Sequence, residues 1–467
     1  MRVVLILFLV LAMLGMPVNA RADVAPPEMP PGSNPEPGAE TTQVRMMAET
    51  VSIDIQASAP RDSLGLAKVT ATFTMRNLGD KEEKMAVRFP VGVSDMRSGD
   101  PRLADMAVKV NGIGVALRNI SGEDPYYGGG SVPWIEFDVI FPAQKDVLIQ
   151  VNYTLEAGGE TPFALFTYIF STGAGWNGTI GSATLFVRFP YEVNELNVLP
   201  SYRADEPNLV GDHKISPTEL KWTWTDFEPE RGDNFEIRVV VPALWQKALD
   251  LEKQLADKGW DGELWGMLGK TYKAFTIDSR GKGFRGGGNY TTDAGTRELF
   301  HRSVEAYENA IRLKALDAQW HAGFADLLIY YAHFAAYEGV NSSAQMQRGL
   351  QELDLALRLS PTDAKVREIA ENIRWYAGDG MVEKGDGYDF PWLTATPVPT
   401  TTPIGMDMGT PVPELPTAVV NPTEEATATK PAATEIPAEP VKKTLPICGS
   451  ILLMPLMAGL VLISKRK

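Results

Sequence analysis

The chain has 467 residues, with 44 Lys and Arg against 59 Asp and Glu, a net charge of −15 at pH 7. This acidic surplus excludes nucleic acid as an expected partner, because phosphate binding draws on clustered cations. A 44% hydrophobic content supplies sizeable cores, and a single cysteine, Cys448, excludes a disulfide framework and any thiol chemistry ahead of it.

Met1-Arg2 is a short basic start, residues 3–14 are almost purely apolar, and Ala20-Arg21-Ala22 has the small-x-small form of a cleavage site. The pattern predicts a secretory signal peptide over residues 1–22, with an uncleaved anchor as the alternative. Residues 23–41 are rich in Pro and Gly and are expected to be disordered. Export without disulfides suits a bacterium.

Residues 42–242 have period two. Val51, Ile53 and Ile55 alternate with polar residues, as do Val69, Ala71, Phe73 and Met75, and later Ile135, Phe137 and Val139. Such alternation puts one face of each strand inward and the other in water. Turn signals, among them Asn77-Leu78-Gly79-Asp80 and Asn111-Gly112, separate the runs. About eight to eleven strands with no helical period between them predict an antiparallel β-sandwich, as one large or two small units. The run Thr172-Gly173-Ala174-Gly175-Trp176-Asn177-Gly178-Thr179-Ile180-Gly181, with Asp23-Val24-Ala25-Pro26-Pro27, resembles exported β domains of bacterial surface proteins that have no known activity. The resemblance implies a β fold and carries over no catalytic residue.

Over residues 243–378 the period becomes helical. Leu244, Ala248, Leu251 and Leu255 make one stripe. Trp265-x2-Leu268-Gly269-x2-Tyr272 then puts Trp265, Leu268 and Tyr272 on one face, with Gly269 open to a close helix approach. Ser303, Tyr307, Ala310 and Ala315 share a second spacing, repeated by Gly349, Leu353, Ala356 and Pro361. These motifs resemble tetratricopeptide repeats. Two degenerate repeats are expected, the first carrying an insertion of about 22 residues relative to the usual period. A capping helix over 363–376 would close the stack. A plain helical bundle with the same spacing is the alternative. The resemblance implies a concave groove for a protein or peptide partner and no catalytic residues. The candidate partner-binding residues are the positions expected to be exposed on the first helices: Met267, Lys270 and Lys273, then Asp326 and Tyr330. Two lysines on an acidic chain point to an acidic peptide end or carboxylate as ligand.

No other motif carries chemistry, and no catalytic residue, cofactor or metal is expected. Gly281-x-Gly283-x-x-Gly286 matches the dinucleotide fingerprint but lacks the preceding strand and following helix, so it reads as a flexible loop bearing Arg280, Lys282 and Arg285. The histidines, His213, His301, His321 and His333, form no ligand spacing. Trp222 and Trp224 share a strand face, as a sugar platform or a core pair would. With Asp226, Glu228 and Glu230 after them, they sustain the alternative of an extracellular enzyme acting on cell-surface glycans.

Residues 379–444 read as a linker, mostly Thr, Pro, Ala, Glu and Val from 394 onward. Extended at about 3.1 Å per residue, this stalk reaches up to roughly 160 Å. The apolar residues 445–464 would span roughly 30 Å as a transmembrane helix. Lys465-Arg466-Lys467 would form a cytoplasmic tail. Leu445-Pro446-Ile447-Cys448-Gly449 resembles a sortase signal but has Cys448 where that signal has threonine; a retained helix is expected. The whole reads as a multidomain α+β protein, exported, tethered to the cell membrane and non-enzymatic, with a binding or scaffolding role.

Overall fold

The computed structural model describes residues 36–37, 42–91, 102–123, 131–170, 173, 175–201, 208–229, 233–277 and 283–393. The expected signal peptide, the stalk from 394, the apolar segment 445–464 and the terminal tail lie outside them. All described residues belong to one compact unit. Among them, no helix is long and apolar enough to cross a membrane.

An N-terminal β region precedes the helices. Its largest sheet has eight strands in the order β13 (Lys214–Ser216), β14 (Glu219–Phe227), β12 (Ile180–Arg188), β2 (Val44–Ile55), β3 (Leu66–Asn77), β9 (Asp146–Glu156), β5 (Arg102–Val110) and β6 (Ile113–Gly114). A second sheet runs β1 (Glu36–Pro37), β4 (Glu83–Pro90), β8 (Ser131–Phe141) and β7 (Arg118–Glu123). A third runs β10 (Gly158–Glu160), β11 (Phe163–Tyr168) and β15 (Phe235–Val240). The alternating residues Ile53, Val69, Phe73, Phe89, Phe137, Val139 and Ile149 are all buried in one core shared by the first two sheets. Asn111 and Gly112 both have positive φ, +51° and +82°, which the tight turn between β5 and β6 requires.

Two features depart from the sequence reading. Glu36 and Pro37, inside the segment expected to be disordered, pair with Arg88 and Val87 of β4 and cover its edge. And β2 pairs with β12 in parallel, Glu49 opposite Ala183 and Ile53 opposite Val187. Parallel neighbours cannot be joined by a hairpin, so the chain between them crosses through the other sheets before returning.

Seven α-helices follow or interrupt the strands among the described residues: α1 (Leu209–His213), α2 (Pro242–Asp257), α3 (Gly262–Thr276), α4 (Ala294–Leu313), α5 (Ala318–Tyr337), α6 (Ser343–Leu359) and α7 (Ala364–Ala377). A short hairpin of β16 (Val382–Lys384) and β17 (Gly387–Asp389) ends the fold, with Met381 and Phe390 buried in a core cluster, so residues 379–393 are folded where a linker was expected from 379. Aspartates cap four helices: Asp261, Asp293, Asp317 and Asp363 each accept from backbone N–H groups in the first turn. The change of period at Pro242 is no break in the core. Trp245, Ala248, Leu251 and Leu255 of α2, Leu268 and Tyr272 of α3 and Leu299 of α4 are continuous with the sheet interior.

Helices pack in pairs, α3 with α4 and α5 with α6. A β-carbon on Gly269 would lie 3.0 Å from the Tyr307 ring and 3.2 Å from its backbone nitrogen, and Ser303 Oγ donates to the Gly269 carbonyl at 2.8 Å. A β-carbon on Gly349 would come within 2.6 Å of Ile329. Trp265 is only half-buried, its indole N–H donating to the Gly259 carbonyl at 2.8 Å.

The insertion after α3 does not hang free. Arg285 is wholly buried. Its Nε donates to Asp293 Oδ2 at 2.7 Å and Nη2 to Oδ1 at 3.0 Å, while Nη1 donates to the Leu196 carbonyl at 2.8 Å and Nη2 to that of Glu195 at 2.5 Å. Asp293 meanwhile caps α4, accepting from Gly295 N at 2.9 Å and Thr296 Oγ1 at 2.6 Å. Burial alone would raise the Asp293 carboxyl; the Arg285 hydrogen bonds and charge reverse this and hold it below its ordinary value.

Replacing Gly269 with Leu overpacks the α3–α4 crossing and is expected to lower stability by about 1–3 kcal/mol in urea unfolding. Arg285→Met leaves a carboxylate buried without its counter-charge, an expected loss of about 3–5 kcal/mol. Parent-like midpoints would remove the crossing, or the clamp, from this account.

Candidate functional site

The first helices of the two pairs, α3 and α5, lie side by side, and α7 packs beside α5. Lys273 of α3 meets Asp326 of α5, and Tyr330 and His333 of α5 meet Tyr376 of α7, so one face carries side chains from all three helices. On it Lys270 is exposed, whereas Met267 is half-buried and packs against the main core. The other three expected residues are not free. Lys273 Nζ meets Asp326 Oδ2 at 2.5 Å across the α3–α5 contact, with side chains 16% and 25% exposed. Burial disfavours the ammonium, but the Asp326 charge, with Tyr307 behind it, outweighs this and keeps the amine above its ordinary value. Tyr330 is buried: its hydroxyl donates to the Gly283 carbonyl and accepts from the Gly283 N–H, both at 3.1 Å. Of the five positions expected to be exposed, only Lys270 is; Met267, Lys273 and Asp326 are half-buried and Tyr330 is buried. Periodicity gives the face a residue occupies; it does not reveal a partner arriving from an insertion or a neighbouring helix.

The insertion corrects a second expectation. Arg285 is the buried clamp described above and binds no outside anion; Arg280 and Lys282 lie outside the described residues. Phe284 packs among Tyr290, Tyr331 and Phe334. Of the glycine fingerprint, Gly283 and Gly286 are described, and Gly286, at φ +62°, lies in a single 3₁₀ turn over Arg285–Gly287.

The sequence reading missed a cluster of rings on α5 and α7. His333 has its ring centroid 5.0 Å from Phe334, 5.1 Å from Tyr337, 5.2 Å from Trp375 and 5.1 Å from Tyr376. Tyr330 lies 5.0 Å from Tyr376. Most of these rings are at least half-buried, but Tyr337 is 75% and Trp375 72% exposed. The spacing of Tyr330, His333 and Tyr337, one helix face over two turns, was the available signal. Burial holds the His333 imidazole below its ordinary value, partly countered by hydrogen bonding to the Tyr376 backbone.

Asp226 is exposed and pairs with Arg45 at 3.3 Å; burial raises the Glu228 carboxyl; Glu230 lies outside the described residues. Trp222 stacks on His213 and Trp224 on Phe227, so both serve packing rather than a platform. Glu49 is buried in the sheet interior, accepting from Tyr168 Oη at 2.8 Å. His321 is buried against Glu352 and donates through Nε2 to the Ala315 carbonyl at 3.0 Å. A cavity of about 440 Å³ lies between the β2–β3 turn and the start of α2, lined by Pro60, Arg61, Asp62, Pro242 and Leu244 among others. Among the described residues, no group of three or more His, Cys, Asp and Glu is placed to hold a metal ion.

No protein-family model and no curated protein matches the chain. Among solved structures it is similar to a "putative nutrient binding protein" of Legionella pneumophila, at 16% identity and a TM-score of 0.37, over 59% of this chain and 98% of that one. It is also similar to an M1 zinc metallopeptidase of Deinococcus radiodurans, at 9% identity and a TM-score of 0.23, over 42% of each chain. An aminopeptidase N family protein of Idiomarina loihiensis has 10% identity and a TM-score of 0.20, over 40% of this chain and 29% of that one. Likeness at this level transfers no activity.

A histidine held below its unfolded value binds fewer protons folded than unfolded. Its contribution is therefore full above about pH 6.5 and is lost as the pH falls through the folded value. Between pH 7 and 5 the melting temperature of the parent is expected to fall more steeply than that of His333→Gln. Equal slopes would show that the ring cluster does not disfavour the charged imidazole.

Proposed function

We propose that the chain is a membrane-tethered extracellular binding or scaffolding protein that engages a protein or peptide partner at the cell envelope through the face of α3, α5 and α7. One observation carries this reading. Trp375 and Tyr337 stand in solvent on two packed helices, while the rings around them are at least half-buried. Exposed aromatics on a rigid support mark interaction surfaces, because they bury large area at little cost in side-chain entropy. Lys270 on the same face adds a free cation for an acidic group.

The tetratricopeptide-like reading draws support from the pairing of α3 with α4 and α5 with α6, from the Gly269–Tyr307 contact and from the aspartate-capped first helices. Tethering rests on the signal-like residues 1–22 and the apolar residues 445–464. The alternative, an enzyme acting on glycans, rested on Asp226, Glu228 and Glu230, of which Asp226 is exposed and paired with Arg45 and Glu230 lies outside the described residues.

Protease added to intact cells is expected to release a fragment ending within the stalk. Envelope partners captured by the released fragment are expected to be lost in Trp375→Ala/Tyr337→Ala, with unfolding unchanged. Undiminished capture would reject this face; full protection of residues 49–380 would reject the outside location.

A further inference from the structure

We propose that the cavity between the β2–β3 turn and the start of α2 binds a small zwitterion with an aliphatic body, of the α-amino acid or dipeptide class. The site shares no residue with the proposed binding face, so the failure of either leaves the other standing.

Size comes first. About 440 Å³ falls near the lower end of the roughly 300–1,000 Å³ typical of small-molecule sites. The walls come next. Ala59, Leu64, Val241, Pro242 and Leu244 are aliphatic, and no aromatic side chain is among the described residues that line the cavity. Small branched surfaces pack on an aliphatic chain, whereas a base or a sugar is held by stacking on a ring.

Charge selects the ends of the ligand. Arg61 and Asp62, consecutive in the chain, both line the cavity and both are exposed, which sets them at its mouth. Among the described residues neither has an ion-pair or hydrogen-bond partner. The guanidinium offers a planar fork of donors to a carboxylate, and the Asp62 carboxylate accepts from an ammonium. A ligand carrying both charges satisfies both groups at once. A simple anion or cation would meet one group and be repelled by the other.

The cavity is also preformed. Gln56 N donates to the Leu66 carbonyl at 2.8 Å and Gln56 Nε2 to the Asp54 carbonyl at 2.7 Å, closing the neck of the loop. Ser63 N donates to the Pro60 carbonyl at 3.0 Å, which closes the turn that presents Arg61 and Asp62. At the base, a β-carbon on Gly65 would lie 3.1 Å from the Phe166 ring and 3.5 Å from Pro242, so the loop seats directly on the first residue of α2. The facing wall is held as well, with Val241 N donating to the Pro162 carbonyl at 2.8 Å. Walls that are already fixed lose little freedom on binding.

The test is equilibrium dialysis of the full chain with leucine and, separately, with leucyl-leucine. At least one is expected to saturate at millimolar concentration or below, and the tighter of the two separates amino acid from dipeptide. For that compound, the N-acetyl form lacks the ammonium and the C-terminal amide lacks the carboxylate. Each is expected to bind about tenfold more weakly, the weight of one charge-assisted hydrogen bond. Arg61→Gln is expected to weaken the unmodified compound by the same factor and to leave the amide form unchanged. Asp62→Asn is expected to weaken it likewise and to leave the N-acetyl form unchanged. Both residues are exposed, so the melting temperature should not move. Absence of saturable binding by either compound would overturn the proposal. So would equal binding of the blocked and unblocked forms, which would reduce the site to an aliphatic hollow, or affinity indifferent to both substitutions.

Discussion

The buried pair of Arg285 and Asp293 is the constraint on which the helical half depends. Both residues are buried, and each satisfies the other along two hydrogen bonds. A buried ion pair is often no more stabilising than a well-packed apolar substitute. Its effect here is positional. Arg285 spends its remaining donors on the carbonyls of Glu195 and Leu196, and Asp293 spends its remaining acceptor capacity on the first turn of α4. One pair thereby fixes a loop of the β region, the insertion after α3 and the start of a helix. Gly295 is required beside it, since a β-carbon there would lie 2.1 Å from the Glu195 carbonyl and collide with the guanidinium. Arg238 of β15 adds a second tie, donating to Gly286 at 3.3 Å and Pro200 at 3.4 Å.

That anchoring decides what the proposed binding face looks like. With Arg285 held, Phe284 enters the aromatic cluster with Tyr290, Tyr331 and Phe334, and Gly283 closes over the Tyr330 hydroxyl. The groove between first helices is filled at that point by the chain's own insertion. Lys273 and Asp326 neutralise each other nearby. The open surface is displaced toward α7, where Tyr337 and Trp375 flank His333. Lys273 and Asp326 are thus paired with each other, while Tyr337 and Trp375 are exposed rings.

The continuous core has a mechanical consequence. Residues of α2, α3 and α4 share their interior with both large sheets, so the β region and the first helical pair are packed around one continuous core. Polar ladders on the outer sheet faces, such as Arg118 with Glu136 and Asp138, are solvent-exposed and contribute little to stability. They keep the outer faces solvated.

Period and punctuation were legible in the chain alone. Alternation identified β2, β3, β8 and β9 with their buried residues, since period two needs only neighbours in sequence. Gly269 announced a close helix crossing because only a missing β-carbon admits the Tyr307 ring at 3.0 Å. Absent disulfides, absent catalytic motifs and the apolar termini framed the functional reading for the same local reason. What tertiary structure decided was everything set by residues far apart in the chain. The parallel pairing of β2 with β12, the burial of Arg285 against carbonyls some 90 positions away and the quenching of Lys273 by Asp326 join segments whose sequences carry no mark of each other. The ring cluster belongs to the same class: half of it was visible as Tyr330, His333 and Tyr337 on one helix face. Only the packing of α7 against α5 supplied Trp375 and Tyr376 and turned a helical stripe into a surface.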